Sequence, residues 1–69
     1  MYEILYSKEY IKKTFIKLEV SPFYNLYSTK PIGYCVIGYK SEYQHDFYRL
    51  IRQNFKKEEE AYKAMMTLR

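Results

Sequence analysis

The sequence predicts an α+β fold: a small antiparallel β-sheet of three to four strands with a C-terminal α-helix packed on one face, spanning residues 1–69 as a single small domain. Three stretches carry that expectation. Ile32 to Tyr39 is apolar on both alternating faces, as a central, doubly covered strand reads. Lys13 to Val20 alternates, with Thr14, Ile16, Leu18 and Val20 on one face and Lys13, Phe15, Lys17 and Glu19 on the other. The last dozen residues open with Glu58, Glu59 and Glu60 and space Ala61, Met65 and Leu68 along one helical face. A chain of 69 residues buries only about 60% of the surface its unfolded form exposes, which argues against a deep catalytic cleft.

Taken in order, Tyr2 to Tyr6 alternates as a strand, with Tyr2, Ile4 and Tyr6 on one side, and Ser7-Lys8-Glu9 interrupts it. A helix competes for the next stretch, because Ile11, Phe15 and Leu18 also recur at three to four residues. The β-branched content and the stop at Ser21-Pro22 favour a strand over Lys13 to Val20. Phe23 to Tyr27 reads as a short edge strand, and Ser28 to Pro31 as a polar turn into the central strand. The two glycines, Gly33 and Gly38, lie inside that strand, where glycine often marks a bulge or the close approach of another backbone.

Beyond Tyr39 two readings compete. In one, Ser41-Glu42-Tyr43-Gln44 is a capping box that opens a single helix to Leu68. In the other, Lys40 to Asp46 is a hairpin loop, Phe47 to Phe55 returns beside the central strand, and a helix from about Lys57 to Leu68 closes the domain. The acid-rich start after Phe55 favours the second reading.

Composition narrows the function classes. Net charge is +4, from 12 basic and 8 acidic residues, and each half of the chain carries +2, so there is no basic tail. Solubility alone accounts for a charge of that size. One cysteine allows no internal disulfide and suits a reducing compartment. The N-terminal stretch, with Glu3, holds no apolar run long enough for a signal peptide or a membrane span, so the expected location is the cytoplasm, without a membrane partner. Phe, Tyr, Met, Ile, Asn and Lys far outnumber Gly, Ala, Arg and Pro, a usage that suits a low-GC bacterium or a phage accessory gene.

No motif reads as catalytic, cofactor-binding or metal-binding. Gly33 and Gly38 are spaced as in a phosphate loop, but Tyr39 separates Gly38 from Lys40, and the residues between the glycines are apolar. Cys35, flanked by Tyr34 and Val36, reads as a small apolar core residue rather than a nucleophile. His45-Asp46 are adjacent in a loop and do not face each other as base and orienter, and one His with one Cys cannot furnish a structural zinc site.

Tyrosine remains as the distinctive feature, at 10 residues, alongside 4 phenylalanines. So small a core cannot enclose them all, and exposed Tyr beside Arg or Lys is the chemistry of protein-binding hot spots. Lys13, Phe15 and Lys17 are one candidate set, expected on the open sheet face; Tyr48, Arg49 and Arg52 are another. The expected role is a non-catalytic binding protein, phage-encoded, that acts on a host protein such as a nuclease, polymerase or defence factor. Nucleic acid is the second candidate ligand, through Lys13, Phe15, Lys17, Arg49 and Arg52, and a homodimer formed through an edge strand is a further expectation.

Overall fold

A computed structural model describes residues 2–43 and 45–69 and contains, in chain order, α1 (Lys8–Thr14), β1 (Lys17–Phe23), β2 (Gly33–Tyr39), β3 (Phe47–Arg49) and α2 (Glu58–Met66). The strands form one antiparallel sheet in the order β1-β2-β3, so the expected central strand is central, over Gly33–Tyr39, with Ile32 left in the loop before it. The register runs from Lys17 opposite Tyr39 to Phe23 opposite Gly33 on one side of β2, and from Ile37 opposite Arg49 to Tyr39 opposite Phe47 on the other.

The largest correction is at Lys8 to Thr14, which is helical. The Ser7 side chain caps this helix by accepting the Tyr10 N–H at 3.1 Å, and the Phe15 N–H closes it on the Ile11 carbonyl at 3.1 Å. Seven residues make a marginal helix alone. Tertiary packing holds it, because Ile11 and Phe15 both enter the core. Lys13 and Thr14 therefore belong to α1, and the strand begins at Lys17. Pro22 does not end it: β1 is an edge strand, where proline is tolerated because no further strand needs its missing N–H. Phe23 is thus the last residue of β1 rather than the start of a separate edge strand, and 24–32 form the connecting loop.

The hairpin reading of Lys40 to Phe55 holds and the long helix does not form. Gln44 of the capping-box reading lies outside the described residues; its companion Ser41 accepts the Tyr43 N–H at 3.3 Å within the hairpin loop. The returning segment follows β2 as far as Leu50, whose N–H donates to the Val36 carbonyl at 3.0 Å. It then leaves the ladder. Ile51 bridges to Ile4, the Leu5 N–H donates to the Leu50 carbonyl, and the Arg52 N–H donates to the Glu3 carbonyl, both at 2.9 Å. The segment rejoins β2 at Phe55, which exchanges two 2.7 Å hydrogen bonds with Tyr34. The predicted N-terminal strand survives only as the Ile4 bridge.

Val20, Val36 and Leu50 lie side by side across the three strands, and Ala61, Ala64, Met65 and Leu68 from the C-terminal segment share their cluster. The helix faces its sheet through the residues its periodicity predicts. Neither glycine has positive φ; both are required for space. A Cβ on Gly38 would stand 2.9 Å from the Phe15 ring, and one on Gly33 would stand 2.6 Å from the Phe23 ring. The nearest neighbour is an aromatic ring in each case, and at Gly33 the Phe55 backbone carbonyl also comes within 3.3 Å, the close approach that a strand glycine often marks.

Candidate protein-binding surface

The six candidate residues do not form one surface. Phe15 is only 7% exposed and closes the core at one end of the sheet, beneath a ring cluster in which Tyr6 and Tyr10 stack at 5.2 Å and Tyr48 stands 6.0 Å from Phe15. It is therefore not on an open face with Lys13 and Lys17: Lys13 is on α1, and of the three only Lys17 is on the face away from α2. Tyr48 is on the α2 side, where the Lys40 ammonium sits 4.3 Å from its ring centroid. Desolvation works against the Lys40 charge, but the oxygens of Tyr10, Tyr48 and Asp46 outweigh it and raise its pKa. Arg52 pairs with Glu3 at 2.9 Å at the opposite edge, and an Arg49 guanidinium N–H donates to the Arg52 carbonyl at 2.8 Å.

The register defines what the open face carries. Lys17, Tyr39 and Phe47 form one row and Glu19, Ile37 and Arg49 the next, followed by Ser21 with Cys35 and Phe23 with Gly33. Ile37 is only 5% exposed although no helix lies over it, so its row neighbours and their long side chains cover it. The Tyr39 hydroxyl donates to Glu19 Oε2 at 2.5 Å, and that bond, aided by desolvation and the Glu19 charge, raises the tyrosine pKa.

Nothing here prepares a nucleophile. The Cys35 thiol is pushed above its ordinary value by burial, against a weaker pull from Arg49, and it donates only to the Ser21 carbonyl at 3.5 Å. His45 is in the loop beyond Tyr39, four residues further along β2 from Cys35, or about 13 Å of extended chain. Among the described residues no group of three or more His, Cys, Asp or Glu could hold a metal ion. Among the described residues no helix is long and apolar enough to cross a membrane.

The feature that stands out lies in the β1–β2 loop. Leu26 and Tyr27 are 94% and 95% exposed, and Tyr24 and Ile32 are exposed beside them. The loop is tied by its own polar groups. Asn25 accepts the Tyr27 N–H on its side chain at 3.1 Å and the Ser28 N–H on its carbonyl at 3.4 Å. Ser28 Oγ accepts the Lys30 N–H at 3.2 Å and donates to the Lys30 carbonyl at 2.6 Å, and the Ile32 N–H closes the loop on the Phe23 carbonyl at 2.9 Å. An Asx turn of this kind holds Leu26 and Tyr27 outward without any apolar partner.

No protein-family model, curated protein or solved structure matches the chain.

Sequence reasoning missed this loop because it read Phe23 to Tyr27 as strand. The signal was present in Asn25, which tends to fold back on the backbone two residues on. Had Pro22 been allowed inside an edge strand, the break would have moved to Asn25 and left Leu26 and Tyr27 with no sheet face to occupy.

Proposed function

We propose that this chain is a small non-catalytic binding domain whose contact surface is centred on the β1–β2 loop and engages a protein partner. One observation carries the reading: a leucine and a tyrosine, each more than nine-tenths exposed, stand on a turn held by hydrogen bonds. Exposing two large apolar side chains gains nothing for folding, whereas a preorganised aromatic and aliphatic pair is what anchors a protein interface. With Phe15 buried, Lys13 on α1 and Arg52 paired with Glu3, the expected basic and aromatic set is broken up, which favours this over a stacking track for nucleic acid. Residue usage suits a low-GC bacterium or a phage as the source, and the finer proposal is a phage-encoded protein that modulates or inhibits a host nuclease, polymerase or defence factor.

The test is affinity capture from lysate of a low-GC bacterial host with the wild-type chain and with a Leu26→Ser, Tyr27→Ala double variant that keeps the wild-type circular dichroism. A protein retained by the first and lost by the second, at unchanged salt, is the expected result. Equal retention by both, or retention of nucleic acid that falls steeply with salt, would overturn the assignment.

A further inference from the structure

Two hollows flank the start of a free sheet edge. β1 is bonded to β2 on one side and, among the described residues, to no strand on the other. Ile16, 63% exposed, and Lys17 line both hollows. The hollow on the α2 side, about 280 Å³, has an apolar floor of Ile11, Phe15 and Leu68 and a cationic rim of Lys12 and Arg69; Lys17 borders it too, but its ammonium lies over the Tyr39 ring on the open face. No Asp or Glu side chain lines it. The hollow on the open face, about 270 Å³, is lined by Tyr39 and Ser41 and carries two carboxylates, Glu19 and Glu42, against the single ammonium of Lys17.

Side chains of an extended chain alternate between the two faces of a sheet. A strand added to the β1 edge would therefore direct successive side chains toward the two hollows in turn. Main-chain hydrogen bonds supply affinity in such an addition, and hollows for alternate side chains supply specificity. The charges select opposite residues. The α2-side hollow suits an apolar residue with an acid two positions away on the same face; the open-face hollow suits the basic residue between them.

Resting on the protein-binding reading above, we infer that β1 accepts an extended segment of the partner in which an apolar, a basic and an acidic residue follow one another. The segment lies along 16–21, and β1 then runs directly into the loop that presents Leu26 and Tyr27. The edge and the loop thus form one continuous contact line. Pro22 limits the addition to the stretch before it, since that residue has no N–H to offer.

The test uses short capped peptides with a central Leu-Lys-Glu, or its reverse Glu-Lys-Leu, in a Thr/Val background. They are titrated into the full isotope-labelled chain, with amide shifts as the readout. One of the two directions is expected to bind and to shift amides within 16–21, and N-methylation of alternate peptide nitrogens should abolish it. Lys12→Glu with Arg69→Glu, which touch only the α2-side hollow, should weaken binding about tenfold, and replacing the peptide's acid by lysine should restore it in that variant. Binding by neither direction overturns the inference, as do shifts confined to 24–32, indifference to N-methylation or charge reversal, or a dimeric mass showing that a second copy occupies the edge. If peptide binding fails while the Leu26, Tyr27 double variant still loses its captured partner, the edge assignment falls and the protein-binding reading stands. If the peptide binds but both forms capture equally, the loop assignment falls instead.

Discussion

The two ends of β2 use the same ingredients in opposite ways. At one end Gly38 makes room for Phe15, and Tyr6, Tyr10 and Tyr48 pack round that ring into an interlocked cluster. At the other, Gly33 makes room for Phe23, and the aromatics that follow leave the sheet on a hydrogen-bonded loop with Leu26 and Tyr27 almost wholly in water. The difference lies in what covers each end. The Gly38 end lies on the α2 side and is capped by α1, so its rings bury one another; the Gly33 site lies on the face with no helix, so its ring is only half covered. Aromatic content therefore says little about role until the covering elements are known.

The largest effect should come from truncating the closed end. Phe15→Ala removes a buried ring at the junction of α1 and β1 and should cost about 3–5 kcal/mol. A domain of this size has a total of only roughly 3–10 kcal/mol, so urea titration should find the variant largely unfolded at ambient temperature. Retention of most of the wild-type midpoint would mean that the aromatic cluster is not what holds this end.

Next come the glycines. Gly38→Ala drives a methyl into the Phe15 ring and toward Leu50, both locked in the core, at a cost of about 2 kcal/mol. Gly33→Ala meets the Phe23 ring, which can swing on the open face, and crowds the Phe55 carbonyl at 3.3 Å, so about 1 kcal/mol is expected. Equal midpoints for the two variants in chemical denaturation would erase the contrast between the ends. Ser7→Ala, which removes the α1 cap, should cost about 1 kcal/mol, read as a lower thermal midpoint.

A smaller effect depends on pH. Tyr39 has its pKa raised above 10 in the folded state by the bond to Glu19, so the native state holds that proton more tightly than the unfolded chain does. The stability it contributes is full below pH 10 and is lost as pH rises through the shifted value. Ultraviolet titration of tyrosinate should show a late-ionising tyrosine that disappears in Glu19→Ala, and Tyr39→Phe should flatten part of the alkaline decline in stability. The smallest change in stability, within about 0.5 kcal/mol, belongs to Tyr27→Ala, although it should lose partner binding.

The central strand, the edge alternation over Leu18 and Val20 and the helix face of Ala61, Met65 and Leu68 were all legible in the sequence, because each is a local periodicity that burial on one side imposes. The same periodicities left Lys8 to Thr14 and the loop unread. Ile11 and Phe15 fit a helix and a strand equally well, and what separated the two was a serine cap together with room above Gly38, which only the folded sheet provides. Pro22 read as a stop because a sequence does not show which strand is at the edge; once β1 proved outermost, its missing N–H cost no pairing and the strand ran on. The candidate surface was hidden for a related reason. Composition established that some tyrosines must face water, but which ones depended on where α1 and α2 came to rest. Tyr6, Tyr10 and Tyr48 closed over Phe15, while Leu26 and Tyr27 were left in water.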